Sequence, residues 1–467
     1  MSNAFLIAEP SREVPLFGAF DVVVLGGGPA GIAAASAAAR NGARVLLAER
    51  YGFLGGMGTA AGVTNFCGLH ANVFGTIRQV VHGVADDLLE RMRELDGLNE
   101  PHLVFGKTYA QAYDMSAFKC AADALLVADG VQLLFHALAA GVLKAADGRI
   151  ETLLLETKSG RLAVRARQFI DCSGDADLAH WAGVPTEKGD EQGHMLYPTL
   201  MFRVGNVDAD KAGEAWKTIP KLMDAVEAAG EFSFPRRGAI VRPQRHVYEW
   251  RVNVTQLKNL DGSATDGTDA RSLSEGELEG RRQIVDYLRF LRRKVPGFEA
   301  AYALDIAPQL GIRETRRLVG ETMLSGDDVL NCVDFDDTIG VNGWPLEMHV
   351  AGDVKWAWPP IPESRGYNHL PYRMLLPQRA SAGGVDNLLV AGRCASMTHD
   401  GQSAARVTGA CFVMGQAAGT AAALATRQGR SVHDLDIREL QRTLIEQGAF
   451  LGHDGAGAVS ASVRSKT

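Results

Sequence analysis

The sequence predicts an α/β fold that is interrupted by a second domain of mixed α+β character. Three observations predict it. Residues 20–50 have the pattern of strand, helix and strand, residues 131–170 alternate like a small β-meander, and residues 385–429 return to a strand and a long small-residue helix. Between the last two, residues 190–360 carry more prolines, tryptophans and long loops. A parallel sheet covered by helices is therefore expected to hold an insertion.

The first element is a strand that runs into glycines. The apolar run 22–25 is typical of a buried parallel strand. Gly26, Gly28 and Gly31 then fit the pattern G-x-G-x-x-G, and the small residues 30–39 predict the helix that follows. In this pattern the first glycine makes a tight turn, the second lets backbone approach a pyrophosphate, and the third lets the helix pack on the strand. The helix N-terminus adds free N–H groups and a positive dipole end.

The second strand of this unit, residues 44–48, ends in the acid Glu49. A carboxylate at that place can accept both hydroxyls of an adenosine ribose. Strand, helix, strand and acid in register predict a Rossmann-type site for a bound dinucleotide. The alternative is a glycine-rich turn that binds nothing, and it leaves Glu49 unexplained.

The elements that follow are predicted from periodicity. Residues 76–95 have the apolar spacing of an amphipathic helix. Strands at 131–135, 150–157 and 162–170 would form the meander. In the insertion, Ser274 and Glu277 fit a capping box that would open a helix. The arginines along that helix are interpreted as a solvated face.

Composition excludes several classes of protein. The 467 residues are 46% hydrophobic and 22% charged, and the net charge of −7 comes with no long basic run, so nucleic acid is not expected as a partner. Six scattered cysteines without a C-x-x-C pair argue against an iron–sulfur cluster, a metal site and a disulfide framework, and favour a cytoplasmic location. Acids at Glu9 and Glu13 argue against a signal peptide. We find no uncharged apolar run of the roughly 18–20 residues that a membrane span needs.

The stretch from Asn387 to Leu424 is the second that bears on chemistry. A strand delivers Gly392 and Arg393, a short loop follows, and a helix is expected to start at Gly401. A helix N-terminus carries about half a positive charge. Aimed at a flavin, it would stabilise the negative charge that a reduced flavin holds near N1 and the C2 carbonyl. An Ala/Gly-rich core helix is the alternative, and the glycine pattern near the N-terminus favours the flavin.

In these motifs the chain resembles the FAD-dependent oxidoreductase family within the flavoproteins that have two dinucleotide-binding domains. The resemblance covers residues 20 to about 430. It rests on Gly26–Gly31, Glu49–Arg50, Leu54–Gly56, Asp171–Asp175, Gly311–Gly320, Leu370–Arg373, Asn387–Arg393 and Gly415–Gly419. It implies a Rossmann-type FAD-binding domain, formed by a parallel sheet with a β-meander, and an inserted α+β substrate/cap domain. The expected divisions are an N-terminal arm 1–19, a first FAD-binding part 20–190, the cap 191–364, a second FAD-binding part 365–430, and a C-terminal helix with a flexible tail 431–467.

The resemblance also implies roles for individual residues toward FAD. The glycine loop would hold the pyrophosphate, Glu49 the ribose, the Gly55–Met57 segment the ribityl chain, and Ser173–Gly174 the adenosine side. Arg393 stands where many flavoproteins have aspartate, and a cation suits pyrophosphate better than a ribityl hydroxyl. The predicted FAD contacts are Gly26, Gly28, Pro29, Ala30, Gly31, Glu49, Arg50, Gly55, Gly56, Met57, Ser173, Gly174, Asp175, Gly392, Arg393, Gly401, Gln402 and Ser403.

Catalytic candidates follow from the same placement. His399 would lie near the isoalloxazine and move a proton, or it would be a structural histidine. His369, Tyr372 and Arg373 could line the substrate pocket. Further candidates with an alternative structural role are the arginines of the Gly311–Gly320 segment (Arg313, Arg316 and Arg317, as an anion clamp or in buried ion pairs), the weaker histidines His194 and His349, and Cys67 with His70 as a covalent flavin anchor.

The function implied is an FAD-dependent oxidoreductase of dehydrogenase or oxidase type that passes a hydride from a small organic substrate to flavin N5. Oxygen, a quinone or a protein would then take the electrons, and the chain could form a homo-oligomer. One alternative is an FAD monooxygenase or halogenase that needs an external reductant. The segment Trp356–Pro362 resembles a halogenase signature but has one residue too many, and we interpret it as coincidence. A second alternative is a flavin-binding redox carrier without turnover.

Overall fold

The structure is a computed structural model that describes residues 7–379 and 383–452. The first six residues of the predicted arm and the Gly/Ala/Ser-rich tail after Gly455 lie outside the described residues. The strands are β1 Leu16–Leu25, β2 Val45–Ala48, β3 Asn65–Phe66, β4 His70–Val73, β5 Thr76–Gln79, β6 His102–Val104, β7 Thr108–Ala112, β8 Gln132–Leu134, β9 Leu138–Lys144, β10 Ile150–Thr157, β11 Gly160–Asp171, β12 Thr186–Glu187, β13 Phe202–Gly205, β14 Ile240–Pro243, β15 Trp250–Asn253, β16 Tyr302–Ile306, β17 Arg317–Leu318, β18 Thr338–Asn342, β19 Leu346–Val350, β20 Asp353–Ala357, β21 Asn368–Pro371 and β22 Leu388–Val390. The helices are α1 Pro29–Arg40, α2 Met57–Ala60, α3 Val84–Glu94, α4 Met115–Ala128, α5 Asp177–Trp181, α6 Ala209–Ala212, α7 Ala215–Ala228, α8 Ala270–Lys294, α9 Gly326–Leu330, α10 His399–Ala405, α11 Thr408–Gln428 and α12 Ile437–Glu446, with 3₁₀ turns at Tyr372–Leu375 and Val432–Asp434.

The main sheet has seven strands in the order β8-β2-β1-β11-β10-β9, and β22 also pairs with β11. β8, β2, β1, β11 and β22 run parallel, whereas β9 and β10 are antiparallel to their neighbours. β10 pairs with the first half of β11 and β22 with its last three residues. The predicted α/β fold, a parallel sheet with a β-meander, is confirmed.

Helices α1 and α11 pack directly on one another beside this sheet. A Cβ placed on Gly419 of α11 would overlap the carbonyl oxygen of Ala34 in α1, so only glycine permits this approach. The expectation that no apolar run is long enough for a membrane span was wrong, because Thr408–Gln428 could cross a membrane by length and composition alone. It is the one such helix in the part of the chain described. Within the structure 89% of its apolar window is buried, as in the core helix of a soluble protein.

The insertion has a core of its own. Strands β14, β15, β13 and β16 form an antiparallel sheet that is covered by α7 and α8. Its buried apolar side chains run from Leu200 to Ile312. Leu324 and Val341, which fall inside the predicted cap 191–364, pack instead in the large core of the first domain. The chain thus rejoins the first core well before residue 364.

Three sequence predictions of local structure were wrong. The predicted helix 76–95 begins only at Val84, because Thr76–Gln79 pairs with His70–Val73 as a hairpin. The meander consists of β9, β10 and β11, whereas residues 132–134 form a parallel strand on β2. The sequence failed to predict β9 because its Ala-Ala-Gly segment has little β-propensity.

The third concerns the long helix of the cap. Helix α8 begins at Ala270, where the Asp269 side chain accepts the Ser272 N–H, and not at the predicted capping box. Ser274 lies within the helix and donates its hydroxyl to the carbonyl of Ala270. The predicted solvated face is confirmed, since the arginines that it comprises are exposed: Arg281, Arg282, Arg289, Arg292 and Arg293.

Candidate active site

A cavity of about 510 Å³ is lined by residues from the first domain and from the cap. At one end it is lined where parallel strands finish, at Leu25, Ala48, Cys172 and Ala391. At the other end it is lined by residues of the cap sheet and of the β19–β20 hairpin. The carboxyl ends of parallel strands are where α/β proteins bind ligands, so we distinguish a nucleotide end and a cap end of this cavity.

The glycine loop between β1 and α1 lines the nucleotide end. Helix α1 begins at Pro29, its N-cap Gly28 supplies no side-chain cap, and its first turn borders the cavity. A Cβ on Gly28 would meet only the Cα of Gly56 within 4 Å, so this face of the loop is open to a ligand. A Cβ on Gly31 would overlap the Gly26 carbonyl, which explains why the third glycine faces the strand and not the cavity. The arrangement is an anion cradle at a helix N-terminus.

Glu49 is buried on the cavity wall and is already hydrogen-bonded. Gly27 N–H donates to its Oε2 at 2.6 Å, and Tyr51 N–H donates to its Oε1 at 3.0 Å. Each carboxylate oxygen keeps a second lone pair. Glu49 therefore orders the glycine loop and still has free acceptor lone pairs on the cavity wall, and the sequence did not indicate this ordering of the loop.

A second glycine loop lies against the first. Gly55 N–H donates to the carbonyl of Gly27 at 2.8 Å, and a Cβ on Gly56 would lie 2.7 Å from the Cα of Gly28. Gly56 and Met57 line the cavity, whereas Gly55 does not. The two loops form one continuous surface beside the start of α1.

Arg393 lies just after β22, the last parallel strand, at the nucleotide end. Gly392 and Arg393 line the cavity together with Ser173 and Gly174. The Arg393 guanidinium lies 3.1 Å from the carboxylate of Asp175. Asp175 itself does not line the cavity, so it positions Arg393 and does not face the ligand.

The helix that was expected to begin at Gly401 and face the flavin is divided in two. Thr398 caps α10 by accepting the Gly401 N–H, and Gly401, Gln402 and Ser403 are buried away from the cavity. A second helix, α11, then starts at Thr408 without a side-chain cap, and its first turn lines the cavity. Of these two helices, α11 is therefore the one whose positive N-terminal end faces the cavity.

The four catalytic candidates from the sequence lie off the cavity wall. His399 Nδ1 is 2.9 Å from Glu314 Oε2, within a buried network that also contains Arg317. His369 is fully buried, and its Nδ1 accepts the Phe335 N–H at 3.2 Å. Tyr372 donates its hydroxyl to the carbonyl of Val432 at 2.8 Å, and Arg373 pairs with Asp337.

The physical reason is the pairing of β21 with β18. This pairing turns Asn368–Pro371 into the interior of the large core, where every residue of the strand is buried. This pairing keeps His369, and the turn with Tyr372 and Arg373 that follows it, off the cavity wall, whereas His399 on α10 is held by Glu314.

The three arginine candidates from the sequence have different surroundings. Arg316 pairs with Asp177, and Arg317 pairs with Glu314 and Glu187, as the alternative of buried ion pairs described. Arg313 reaches the cavity wall, although its guanidinium donates to the Tyr197 carbonyl and the Thr199 hydroxyl.

The remaining candidates from the sequence are one cysteine and two histidines. Cys67 lines the cavity, and burial raises the pKa of its thiol to about 12, so it stays neutral. His70 lies off the lining, and His194 is exposed beside Asp190.

The cap end contains a histidine–carboxylate pair. Glu347 and His349 alternate along β19, so both point to one face, and both line the cavity. His349 Nε2 lies 3.2 Å from Glu347 Oε1, and Trp344 Nε1–H donates to Glu347 Oε2 at 2.9 Å.

The ionisation of this pair follows from its surroundings. Burial alone would raise the pKa of Glu347, but the hydrogen bond from His349, the charge of Arg406 and the hydrogen bond from Trp344 lower it to about 2. Burial, and then the Arg313 charge, keep the pKa of His349 well below its usual value. Glu347 is therefore ionised and His349 is neutral, with its Nε2–H directed to the carboxylate. His349 Nδ1 is buried and has no hydrogen-bond partner among the described residues.

Arginines complete the wall of the cap end. Arg242, Arg251 and Arg406 line it together with Arg313, and Trp216 and Trp356 supply apolar surface. The sequence analysis did not single out Arg242, Arg251, Arg406 or Glu347. One signal that could have found Glu347 is its alternation with His349 in a strand-like segment.

The residues present fit FAD. An open glycine cradle, a carboxylate with free lone pairs and two helix N-termini border one cavity that continues into a chamber beyond the nucleotide end. Such a site needs anion-binding backbone for the pyrophosphate and a positive end for the flavin. Among the residues described, no group of three or more His, Cys, Asp or Glu side chains could hold a metal ion.

Comparison with known proteins gives one family and several solved structures. The sequence model of the family described as FAD dependent oxidoreductase matches residues 21–444. No curated protein matches the chain. A geranylgeranyl bacteriochlorophyll reductase-like protein from Thermoplasma acidophilum is 14% identical over 93% of this chain and 84% of its own, with a TM-score of 0.44.

Two further structures are similar at the same level. p-Nitrophenol 4-monooxygenase from Pseudomonas putida is 13% identical over 94% of this chain and 90% of its own, with a TM-score of 0.46. The myxobacterial chondrochloren halogenase is 15% identical over 91% and 78%, with a TM-score of 0.40. We draw no conclusion on reaction or substrate from these likenesses. The family match and the site that fits its cofactor establish that this chain belongs to the FAD-dependent oxidoreductases and is an enzyme whose cofactor is FAD.

Proposed function

We propose that the enzyme oxidises a small organic substrate at the cap end of its cavity, as a dehydrogenase or oxidase. The observation that carries this proposal is the neutral His349, which lines the cavity and whose buried Nδ1 has no hydrogen-bond partner among the described residues. FAD, when bound, supplies an acceptor for a hydride at flavin N5. The remaining steps belong to side chains and backbone of the chain itself.

The nucleotide end holds the cofactor. Backbone N–H groups at the start of α1 would bind the pyrophosphate, and Glu49 would accept the ribose hydroxyls. The start of α11 would face the flavin ring with its positive end. None of these contacts involves Glu347 or His349, which line the cap end.

At the cap end His349 acts as the general base. Because its Nε2–H is directed to the ionised Glu347, its Nδ1 keeps a lone pair for a substrate hydroxyl or ammonium proton. As that proton moves to Nδ1, the C–H electron pair leaves as a hydride and the C–O or C–N bond becomes double. Glu347 orients the ring and stabilises the cation that forms, as the third member of a triad does.

The test is anaerobic reduction of the flavin by a panel of hydroxy acids, amines, sugars and steroids without NADPH. Bleaching by one class is expected, and a His349→Gln variant should bleach at least about 100-fold more slowly. His194→Gln, on an exposed histidine, is the matched control and should react like the wild type.

Other outcomes separate the alternatives. Bleaching by NADPH alone, with oxygen consumption that depends on it, would replace this proposal by a monooxygenase or halogenase. Failure of every substrate and of NADPH would favour a redox carrier, although a cavity with converging polar groups is not what a carrier needs. Oxygen, a quinone or a protein is proposed as the electron acceptor, to be distinguished by adding each to the reduced enzyme.

A further inference from the structure

We propose that the substrate carries an oxyanion on an apolar body, and that Arg242 and Arg251 bind this oxyanion at the cap end of the cavity. The inference rests on the proposed function, since it takes this chamber to be the substrate site. It goes further by naming the chemical class of the substrate and the residues that select it.

The first observation is a row of charges across the cap sheet. Arg242 of β14 is in register with Arg251 of β15, and Arg251 is in register with Arg203 of β13. Arg203 is neutralised, because its guanidinium pairs with Asp305 and Glu249. In the described residues neither Arg242 nor Arg251 has an ion pair with an acid, although like charges directly opposite each other in a sheet are destabilising.

The second observation is the unmet hydrogen-bonding capacity of the two guanidinium groups. Arg251 is only 6% exposed, and its Nε has no partner among the described residues, although its Nη1 donates to the Val63 carbonyl. Nη1 of Arg242 is likewise buried without a partner there. Both side chains line the cavity. Buried unpaired charge is expensive, and an anion seated between the two arginines would satisfy both.

The ionisable groups nearby do not compete with that anion for the two arginines. Glu347, the carboxylate on this part of the wall, is engaged by His349 and Trp344. His102 also lines the cavity, and burial together with the charges of Arg251 and Arg242 lowers its pKa to about 4, so it stays neutral. It can therefore contribute a hydrogen bond without competing for the anion.

The apolar part of the substrate is inferred from the walls. The Arg242 guanidinium lies 5.2 Å from the centroid of the Trp216 ring, which also lines the cavity. Ile240, two residues before Arg242 on the same face of β14, and Trp356 continue this surface. An oxyanion bound by the arginines would thus leave the rest of the molecule against apolar side chains, in the chamber that His349 shares.

The experiment measures binding of small probes to the FAD-loaded protein by tryptophan fluorescence and by the visible flavin spectrum. The probes are benzoate, phenyl phosphate and the neutral analogue benzamide. Benzoate or phenyl phosphate should bind at least about tenfold more tightly than benzamide. Whichever of the two binds more tightly identifies the oxyanion as a carboxylate or a phosphate.

Variants assign the binding to the arginine pair. Arg242→Gln should weaken binding of the anion at least about tenfold and leave the affinity for benzamide unchanged. Arg203→Gln removes a charge from the same row but one that is already paired, and it should have little effect. Arg242→Lys keeps the charge without the planar fork and should give an intermediate affinity, which preserves the test if Arg242→Gln fails to fold.

The proposal is overturned if benzamide binds as tightly as the anions, if no probe binds, or if folded Arg242 variants bind the anions like the wild type. Probe binding does not require turnover. Arginine-dependent anion binding without bleaching of the flavin by any substrate would therefore contradict the proposed oxidation and not the anion site.

Discussion

His349 Nε2 lies 3.2 Å from Glu347 Oε1, and both side chains project from one face of β19 into the cavity. This contact fixes which nitrogen of the neutral ring carries hydrogen and which nitrogen keeps a free lone pair. The first two predictions depend on it.

Replacing Glu347 by glutamine removes the charge that orients His349 while keeping the size of the side chain. We expect flavin reduction by substrate to slow about 100-fold, because loss of the orienting carboxylate disturbs the tautomer of the base. Stopped-flow absorbance of the anaerobic enzyme measures it. Glu279→Gln on the surface of α8 is the control, and an unchanged rate in Glu347→Gln would remove Glu347 from the mechanism.

The pH dependence of kcat/KM should lack a limb at the usual histidine pKa. Burial and the Arg313 charge depress the pKa of His349 well below 6.5, so the base remains unprotonated as the pH falls through 6.5. With a substrate that has no titrating group of its own, kcat/KM should decline only at distinctly lower pH. A limb with an apparent pKa between about 6 and 7 that is absent from the substrate would contradict this assignment.

Glu49→Gln should weaken the binding of FAD. The carboxylate accepts the N–H groups of Gly27 and Tyr51, and an amide can accept through one end only. Loss of one charge-assisted hydrogen bond and of the ribose contact should raise the Kd for FAD about 10- to 100-fold. Fluorescence of released flavin measures the Kd, Glu90→Gln on α3 is the control, and unchanged retention would remove the ribose assignment.

Gly419→Ala should destabilise the fold, although Gly419 itself does not line the cavity. The added Cβ would overlap the carbonyl of Ala34, so α1 and α11 would have to separate. Overpacking of this kind costs about 1–3 kcal/mol of the free energy of unfolding. Urea denaturation measures it, with Ser274→Ala on the exposed face of α8 as a reference, and equal stability of the two variants would mean that the helices are not in contact.

Acid should destabilise the protein partly through His70. Burial, assisted by the charge of His82, lowers its pKa from 6.5 to about 4. Between these values the unfolded chain binds a proton that the folded chain does not, so stability is lost as the pH falls from about 6.5 to about 4. His70→Gln should reduce that loss in urea titrations at pH 7 and pH 5, and an identical pH dependence would contradict the shift.

The nucleotide end could be predicted because its signals are local. The glycines of the first loop and Glu49 stand within one strand–helix–strand unit, and their spacing alone indicates the chemistry. The break between α10 and α11 could not be predicted, since no glycine or proline marks Arg406–Val407. The helix start that faces the cavity was therefore assigned to Gly401 and not to Thr408.

The cap end could not be predicted because pairing between strands assembles it. Arg242 and Arg251 meet only through the register of β14 and β15, and Glu347 acquires its role only where the hairpin borders the first domain. His369 was misplaced for the same reason, since its strand pairs with β18 in the core. Such long-range contacts leave no periodic pattern in the chain.

The most direct test of the account is the rate at which the best substrate bleaches the flavin of wild-type, His349→Gln and His194→Gln enzyme under anaerobic conditions. We expect rapid bleaching of the wild type and of His194→Gln, and a rate at least about 100-fold lower for His349→Gln with FAD still bound. Equal rates in all three proteins would contradict it.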